Sequence, residues 1–259
     1  MTNLPPDNLP VVPTLIVGPG RVGRAFARAL SGAGKTPLLA GRADLAELAA
    51  EAEAALLCVP DSEIRPACEA VVSSAPNLRF VGHTSGATRL DALAAATAGG
   101  IGVFSVHPLQ TIPGGEADLT GAPAAIAGST PEALEVARLL ASECQMAPFE
   151  VPEESRAAYH AAAAMASNFL IALEATAVEL LEAAGIEDGR DLLTPLVLRS
   201  AANWAEHGSD ALTGPIARGD EETVRRHLEA IEEIAPELAD SYRAMAERTR
   251  AIAATGERR

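Results

Sequence analysis

The chain has 259 residues, 48% of them hydrophobic, and a formal net charge of −15. That length and apolar content can bury one large core or two smaller ones, while the acidic balance argues against a nucleic-acid or anionic-membrane partner, which would not be attracted at range. The three cysteines, Cys58, Cys68 and Cys144, share no metal-ligand spacing and cannot all pair, so no metal site is expected and a reducing cytoplasm is the economical location.

The proline-rich opening has no charged-then-apolar leader, and residues 1–12 read as a flexible tail. No stretch reaches the length of a membrane span free of polar residues, so no membrane partner is expected. Leu15, Ile16 and Val17 then form the apolar run of a buried strand. It leads straight into Gly18-Pro19-Gly20-Arg21-Val22-Gly23, a GxGxxG pattern. Gly18 suits the tight turn, Gly20 a close approach of backbone to a pyrophosphate, and Gly23 close packing of the next helix on its strand. That helix, Arg21 to Leu30, puts Val22, Phe26 and Leu30 on one face with Ala25 and Ala29 beside them. A phosphate at its first turn would meet free N–H groups, including those of Arg21 and Val22, and the positive end of the dipole. Gly34-Lys35-Thr36 resembles the end of a phosphate loop of nucleoside triphosphatases. The position five before Gly34 is Ala29, inside a helix, and no helix follows, so that reading is rejected.

A second strand, Pro37 to Ala40, is followed by Gly41-Arg42. An NAD site usually carries an Asp or Glu at this point to bind the ribose hydroxyl, and an NADP site a small residue with an Arg. Arg42, with Arg21 in support, can pair with a 2′-phosphate through its planar fork. Asp44 is the competing carboxylate, but with Glu47 three residues on it reads as the N-cap of the next helix. NADP is favoured over NAD. A third strand, Ala54 to Val59, ends at Pro60-Asp61-Ser62, which caps a helix through Val71; Val59 and Pro60 flank the adenosine side of the cofactor. The fourth, Arg79 to Gly82, delivers His83-Thr84-Ser85-Gly86, and the fifth, Ile101 to Val106, delivers His107-Pro108-Leu109-Gln110-Thr111. Ligands of open parallel sheets gather beyond the carboxyl ends of the strands, and two of the five histidines leave strands at that edge. Each is equally readable as a histidine satisfied by loop backbone. A sixth strand (121–128), a helix (131–144) and a last strand (147–151) complete an α/β domain over 13–151.

From Glu153 the period changes, and 152–259 reads as an all-α substrate and dimerisation domain. Glu154 to Ala184 reads as one helix, apolar on most sides and therefore needing cover on most sides; a homodimer with this helix at its centre is expected. His160, Ala164 and Asn168 fall at four-residue intervals along one face, so the stripe contacts either a substrate or another helix. Thr194-Pro195 opens a further helix through Trp204. Leu212 to Asp220 reads as a short turn stopped by Gly219, with Asp220 capping the helix of Val224, Leu228 and Ile231. That account leaves Thr213 and Arg218 unexplained and available to a substrate. Pro236 begins a terminal helix running to about Ile252, and the arginine-rich end reads as solvated.

At HTSGA (His83 to Ala87), HPLQT (His107 to Thr111), YHAAAAMASN (Tyr159 to Asn168) and LTGPIARGD (Leu212 to Asp220) the sequence resembles the Rossmann-like oxidoreductases whose C-terminal helical domain is the DUF2520 group. The resemblance covers nearly the whole chain after the tail. That group is similar in build to pyrroline-5-carboxylate reductases, ketopantoate reductases and 3-hydroxyisobutyrate dehydrogenases, which pair an NAD(P) domain with a helical domain that usually dimerises. The resemblance implies a nicotinamide-dependent reductase of a small carbonyl or imine compound, possible substrates including a ketopantoate-like oxoacid. One departure matters. Dehydrogenases and ketopantoate reductases of this build use a lysine on the first long helix of the second domain as proton donor, and the only lysine here is Lys35. His160 lies on the corresponding helix and is the expected donor, with Asn168 orienting the substrate and Ser85 and His107 holding it near the nicotinamide; an unperturbed histidine titrates at about 6.5, where a donor works well. Arg218 is the cation available to an acidic substrate. The alternative is a non-catalytic NADP-binding sensor or scaffold, favoured by the missing lysine.

Overall fold

A computed structural model describes residues 14–256. The expected tail over 1–12 and the arginine end at 258–259 lie outside the described residues. The chain divides into two compact units that meet in sequence at Ala164/Met165, not at 151/152.

In the first unit, seven strands form one sheet: β1 (Leu15–Val17), β2 (Leu38–Ala40), β3 (Ala54–Leu57), β4 (Phe80–His83), β5 (Gly102–Pro108), β6 (Pro123–Gly128) and β7 (Ala147–Glu150). Their order is β2-β1-β3-β4-β5-β6-β7. All neighbours run parallel except β5 and β6. A parallel return needs a long crossover, usually a helix; the segment between β5 and β6 contains no helix, so β6 comes back antiparallel. The interior strands carry apolar residues on both faces, as a sheet covered on both sides requires. Ile16 and Leu56 face one layer, where α1 (Arg21–Gly32) contributes Ala25, Phe26 and Leu30 and α5 (Pro131–Glu143) contributes Val136 and Leu140. Leu15, Val17 and Leu57 face the other, against α2 (Leu45–Ala49), α3 (Ile64–Ser74) and α4 (Ala94–Ala98). Alternate residues of one strand thus supply two cores, each Leu or Ile contributing roughly 1.5–3 kcal/mol on full burial.

Where the long apolar helix was expected, the chain forms a short 3-10 turn over Glu153–Ser155, α6 (Arg156–Ala166) and α7 (Asn168–Ala183). The interruption is Ser167, at φ −121° and ψ −74°; a serine followed by an asparagine competes with the helical ladder for backbone hydrogen bonds. His160 and Asn168 therefore do not share one uninterrupted helix face. By length and composition the 153–183 run would qualify as a membrane span, although it is not free of polar residues. Its opening, however, belongs to the first unit, where Arg156 is buried.

The second unit holds α7, α8 (Gly189–His207), α9 (Glu221–Ile234) and α10 (Ala239–Gly256). Pro195 lies inside α8 and does not open it, because the N–H it lacks removes only the bond to the carbonyl of Asp191 in the first turn. Gly219, at φ +71°, stops the 212–220 turn as expected, and Asp220 accepts from the Thr223 N–H at 3.1 Å to cap α9. Val224 and Ile231 of α9 are buried, and Arg250 of α10 holds Glu221 at 2.7 Å. By contrast α7 buries no residue. Ile171 of α7 and Leu196, Leu198 and Trp204 of α8 are all at least 62% exposed, so the cover expected on most sides of α7 is not seen in this structure.

Candidate functional site

The glycine loop is built by close approach. Gly18 sits at φ +106°, and a Cβ there would run into the Cys58 carbonyl; one on Gly23 would run into the Gly18 carbonyl. Gly20 differs: a Cβ there would meet no atom within 4 Å. Its backbone faces open space at the N-terminus of α1, which has no side-chain cap and no acidic residue in its first turn. Those N–H groups and the dipole suit an anion. Val22 is half-buried against the core, so only its backbone is available to a ligand.

Two clefts flank the loop. One, of about 400 Å³, is lined by Gly18, Gly41, Arg42, Val59, Pro60 and Glu63, with the Leu45 and Pro66 side chains adding apolar wall. It brings together four expected cofactor residues, Gly18, Arg42, Val59 and Pro60. The Arg42 guanidinium pairs with Glu63 at 2.6 Å. Asp44 precedes α2 but makes no cap; its Oδ1 accepts from the Gly41 N–H at 2.7 Å. The other cleft holds Gly20 and Arg21 with Arg24, Arg28, Gly115 and Glu116. Arg24 donates to the Pro19 carbonyl at 2.8 Å, and Arg28 donates to the Glu116 carbonyl. The 21, 24, 28 spacing of arginines on one helix face was the available signal for this basic edge.

Beyond β4 and β5 a second group converges, and all of it lies in the first unit. His107 Nδ1 and the Tyr159 hydroxyl are 2.8 Å apart. The rings of His107 and His160 stand edge-on with centroids 5.9 Å apart. Both imidazoles lie over Gly86, where a Cβ would fall 2.7 Å from His160 Cδ2 and 2.9 Å from His107 Nε2. Burial, with the charges of His160 and Arg156, pushes His107 down to about 4, so its ring is neutral near pH 7. His83 is also pushed down to about 4 by burial and then by Arg156. Its Nδ1 accepts from the Ser85 N–H at 3.2 Å, while its buried Nε2 has no partner among the described residues, so the loop satisfies only one side of this ring.

Ser85 is fully engaged. Its hydroxyl donates to Asp61 at 2.9 Å and accepts from the N–H groups of Ala87 and Thr88 at 3.3 and 2.9 Å. One donor and two acceptor sites are all a hydroxyl has, so Ser85 shapes the turn and has no free hydrogen to offer a substrate. Asp61, expected as a helix cap, makes no cap bond; it is the acceptor for this serine.

Arg156 went unnoticed in the sequence. It is 1% exposed, donates to Ser105 Oγ at 2.7 Å and to the Ser85 carbonyl at 2.6 Å, and lies 3.5 Å from Glu153. Burial lowers its pKa, opposed by Glu153. The guanidinium thus ties α6 to the loop after β4 and to strand β5. Asn168, Thr213 and Arg218 belong to the second unit, where Thr213 and Arg218 are exposed. No group of His, Cys, Asp and Glu among the described residues forms a metal site.

Residues 122–249 match the family described as a domain of unknown function, DUF2520. No curated protein sequence matches significantly. Among solved structures, BF3122 from Bacteroides fragilis, a proposed NADP oxidoreductase, is 22% identical, covers 92% of this chain and 97% of its own, and superposes with a TM-score of 0.75. Protein TM1727 from Thermotoga maritima is 23% identical over 95% and 99%, with a TM-score of 0.74. A reductive aminase from Aspergillus terreus, in complex with NADPH and ethyl-5-oxohexanoate, is 14% identical over 92% and 93%, with a TM-score of 0.66. Together with the topology these likenesses establish a Rossmann-type fold.

Proposed function

We propose that the chain is an NADPH-dependent reductase of a small carbonyl or imine compound, a ketopantoate-like oxoacid being one candidate. The observation that carries this reading is the convergence of His107, Tyr159 and His160 over Gly86, beyond the carboxyl ends of β4 and β5 in a sheet whose glycine loop leaves open space at Gly20. The structural likeness to a reductive aminase held with NADPH supports the imine option.

A reduced nicotinamide supplies a hydride when bound. The chain's own work is to hold, polarise and protonate. His160 is exposed and has no hydrogen-bond partner among the described residues, so its ring is free to reach a carbonyl oxygen or imine nitrogen and serve as the proton donor. His107 is held neutral and serves as a hydrogen-bonding group. When the Tyr159 hydroxyl donates to Nδ1, the ring hydrogen stands on Nε2, the atom nearer Gly86. Ser85 and Asp61 keep the loop in shape. The roles of Asn168 in orienting substrate, and of Thr213 and Arg218 in binding it, rest on residue chemistry alone. The preference for NADP rests on Arg42, and pairing of two chains through the helical half is supported by the exposed Ile171, Leu196, Leu198 and Trp204; sedentation of a dimer in analytical ultracentrifugation tests the latter.

The function is tested with His160→Ala. This variant should keep NADPH binding by calorimetry and lose turnover on a panel of oxoacids and imines. If no panel member is reduced while NADPH still raises the melting temperature, the sensor reading takes its place.

A further inference from the structure

The Arg42–Glu63 pair stands in an informative place. Arg42 follows β2 and Glu63 closes the 3-10 turn after β3, so the two come from the strands flanking β1 and meet at one cleft, which both line beside Gly18, Gly41 and Val59. Their N–O separation is 2.6 Å, and the Arg42 side chain is 90% exposed. An ion pair this open adds little to stability, so stability is a poor account of it. Asp44, the other nearby carboxylate, is committed to the Gly41 N–H. Glu63 is Arg42's one ionic partner among the described residues.

We propose that Glu63 sets cofactor selectivity in this cleft, by occupying the guanidinium face that a 2′-phosphate would need. The inference rests on the reading of the cleft as a dinucleotide site. To take a 2′-phosphorylated ribose, Arg42 must exchange partners, and the Glu63 carboxylate is left beside a like charge. To take an unphosphorylated ribose nothing need break, since a carboxylate already paired with arginine can still accept a hydrogen bond from a hydroxyl. Glu63 therefore penalises NADPH and spares NADH, holding back a preference that Arg42 alone would make stronger.

The test is calorimetric titration of the full chain with NADPH and with NADH, for the native protein, Glu63→Gln, Arg42→Ala and the double variant. Glu63→Gln keeps the size and polarity of the side chain and removes its charge. It should tighten NADPH by about fivefold or more, the equivalent of one modest charge interaction, and leave NADH unchanged or weaker. The gain should shrink in the Arg42→Ala background and at high salt, where exposed charges are screened. Equal tightening of both cofactors, no change in either, or a gain undiminished without Arg42 would overturn the proposal while leaving the dinucleotide reading intact. Failure of the native protein to bind either nucleotide would overturn both. Unchanged melting temperatures would show that the variants are folded.

Discussion

The Tyr159 hydroxyl lies 2.8 Å from Nδ1 of His107, joining the first turns of α6 to the end of β5. The two rings stand almost perpendicular, at 87°, so the contact is a hydrogen bond and not a stack. As a donor, the hydroxyl would select the Nε2–H tautomer of a histidine that burial keeps neutral. Tyr159→Phe removes the selection while keeping the ring. The expected outcome is a fall in kcat of about tenfold, the rate equivalent of one hydrogen bond of about 1.4 kcal/mol, with the dissociation constant of NADPH unchanged. A variant as active as the native chain would show that the bond is only structural.

Acid should destabilise the protein through two histidines. His83 and His107 are both held at about 4, against about 6.5 in the unfolded chain. Between those values the unfolded state binds more protons, so stability rises with pH there. The contribution is whole above about pH 6.5 and is lost as pH falls toward and through about 4, at up to about 3 kcal/mol for each histidine. Urea midpoints measured from neutral to mildly acid pH should fall steadily, and His107→Gln should flatten the slope. The charged groups near His107 are His160, Arg156 and Asp61, and the variant leaves all three in place.

How much of this could be read beforehand follows from the range of each interaction. The glycine loop was legible because its steric demands are local: Gly23 is fixed by a carbonyl five residues away. The strands were legible from their apolar runs, and the capping of α9 by Asp220 from a three-residue spacing. The direction of β6 was not, since an apolar run carries no sign. Nor was the burial of Arg156, whose partners Ser105 and Ser85 lie 51 and 71 positions away; a lone arginine after three acidic or polar residues reads as surface. Asp61 had the local look of a helix cap, and its partner Ser85 is 24 positions off. The break at Ser167 was hidden by the alanine-rich run around it, which contains neither proline nor glycine.

Arg156 should be the side chain on which the site's architecture most depends. It holds the loop of Ser85 and the hydroxyl of Ser105 at once, while Glu153 accepts from the Leu90 N–H at 2.7 Å on its other side. Arg156→Met would leave the Ser85 carbonyl and the Glu153 carboxylate short of a partner. A loss of about 2–4 kcal/mol is expected, read as a lower denaturant midpoint. Arg156→Lys, with a single ammonium in place of a two-armed fork, should recover only part of it. A midpoint unmoved by either change would mean that water satisfies these groups unaided.

The three glycines of the loop should separate folding from binding. Gly23→Ala drives a methyl into the Gly18 carbonyl, and Gly18→Ala meets the Cys58 carbonyl at a positive φ that L residues rarely adopt. Neither obstacle is a flexible side chain, so both variants should be severely destabilised or fail to fold. Gly20→Ala has room for its methyl and an ordinary φ of −76°. Its stability should stay within about 0.5 kcal/mol of the native chain. The added methyl would nevertheless occupy the space that a pyrophosphate needs, so NADPH affinity should fall by about tenfold or more, a cost of at least about 1.4 kcal/mol. Melting curves with and without NADPH check both halves: a Gly20→Ala protein that melts normally and is still fully protected by NADPH would place the phosphates elsewhere.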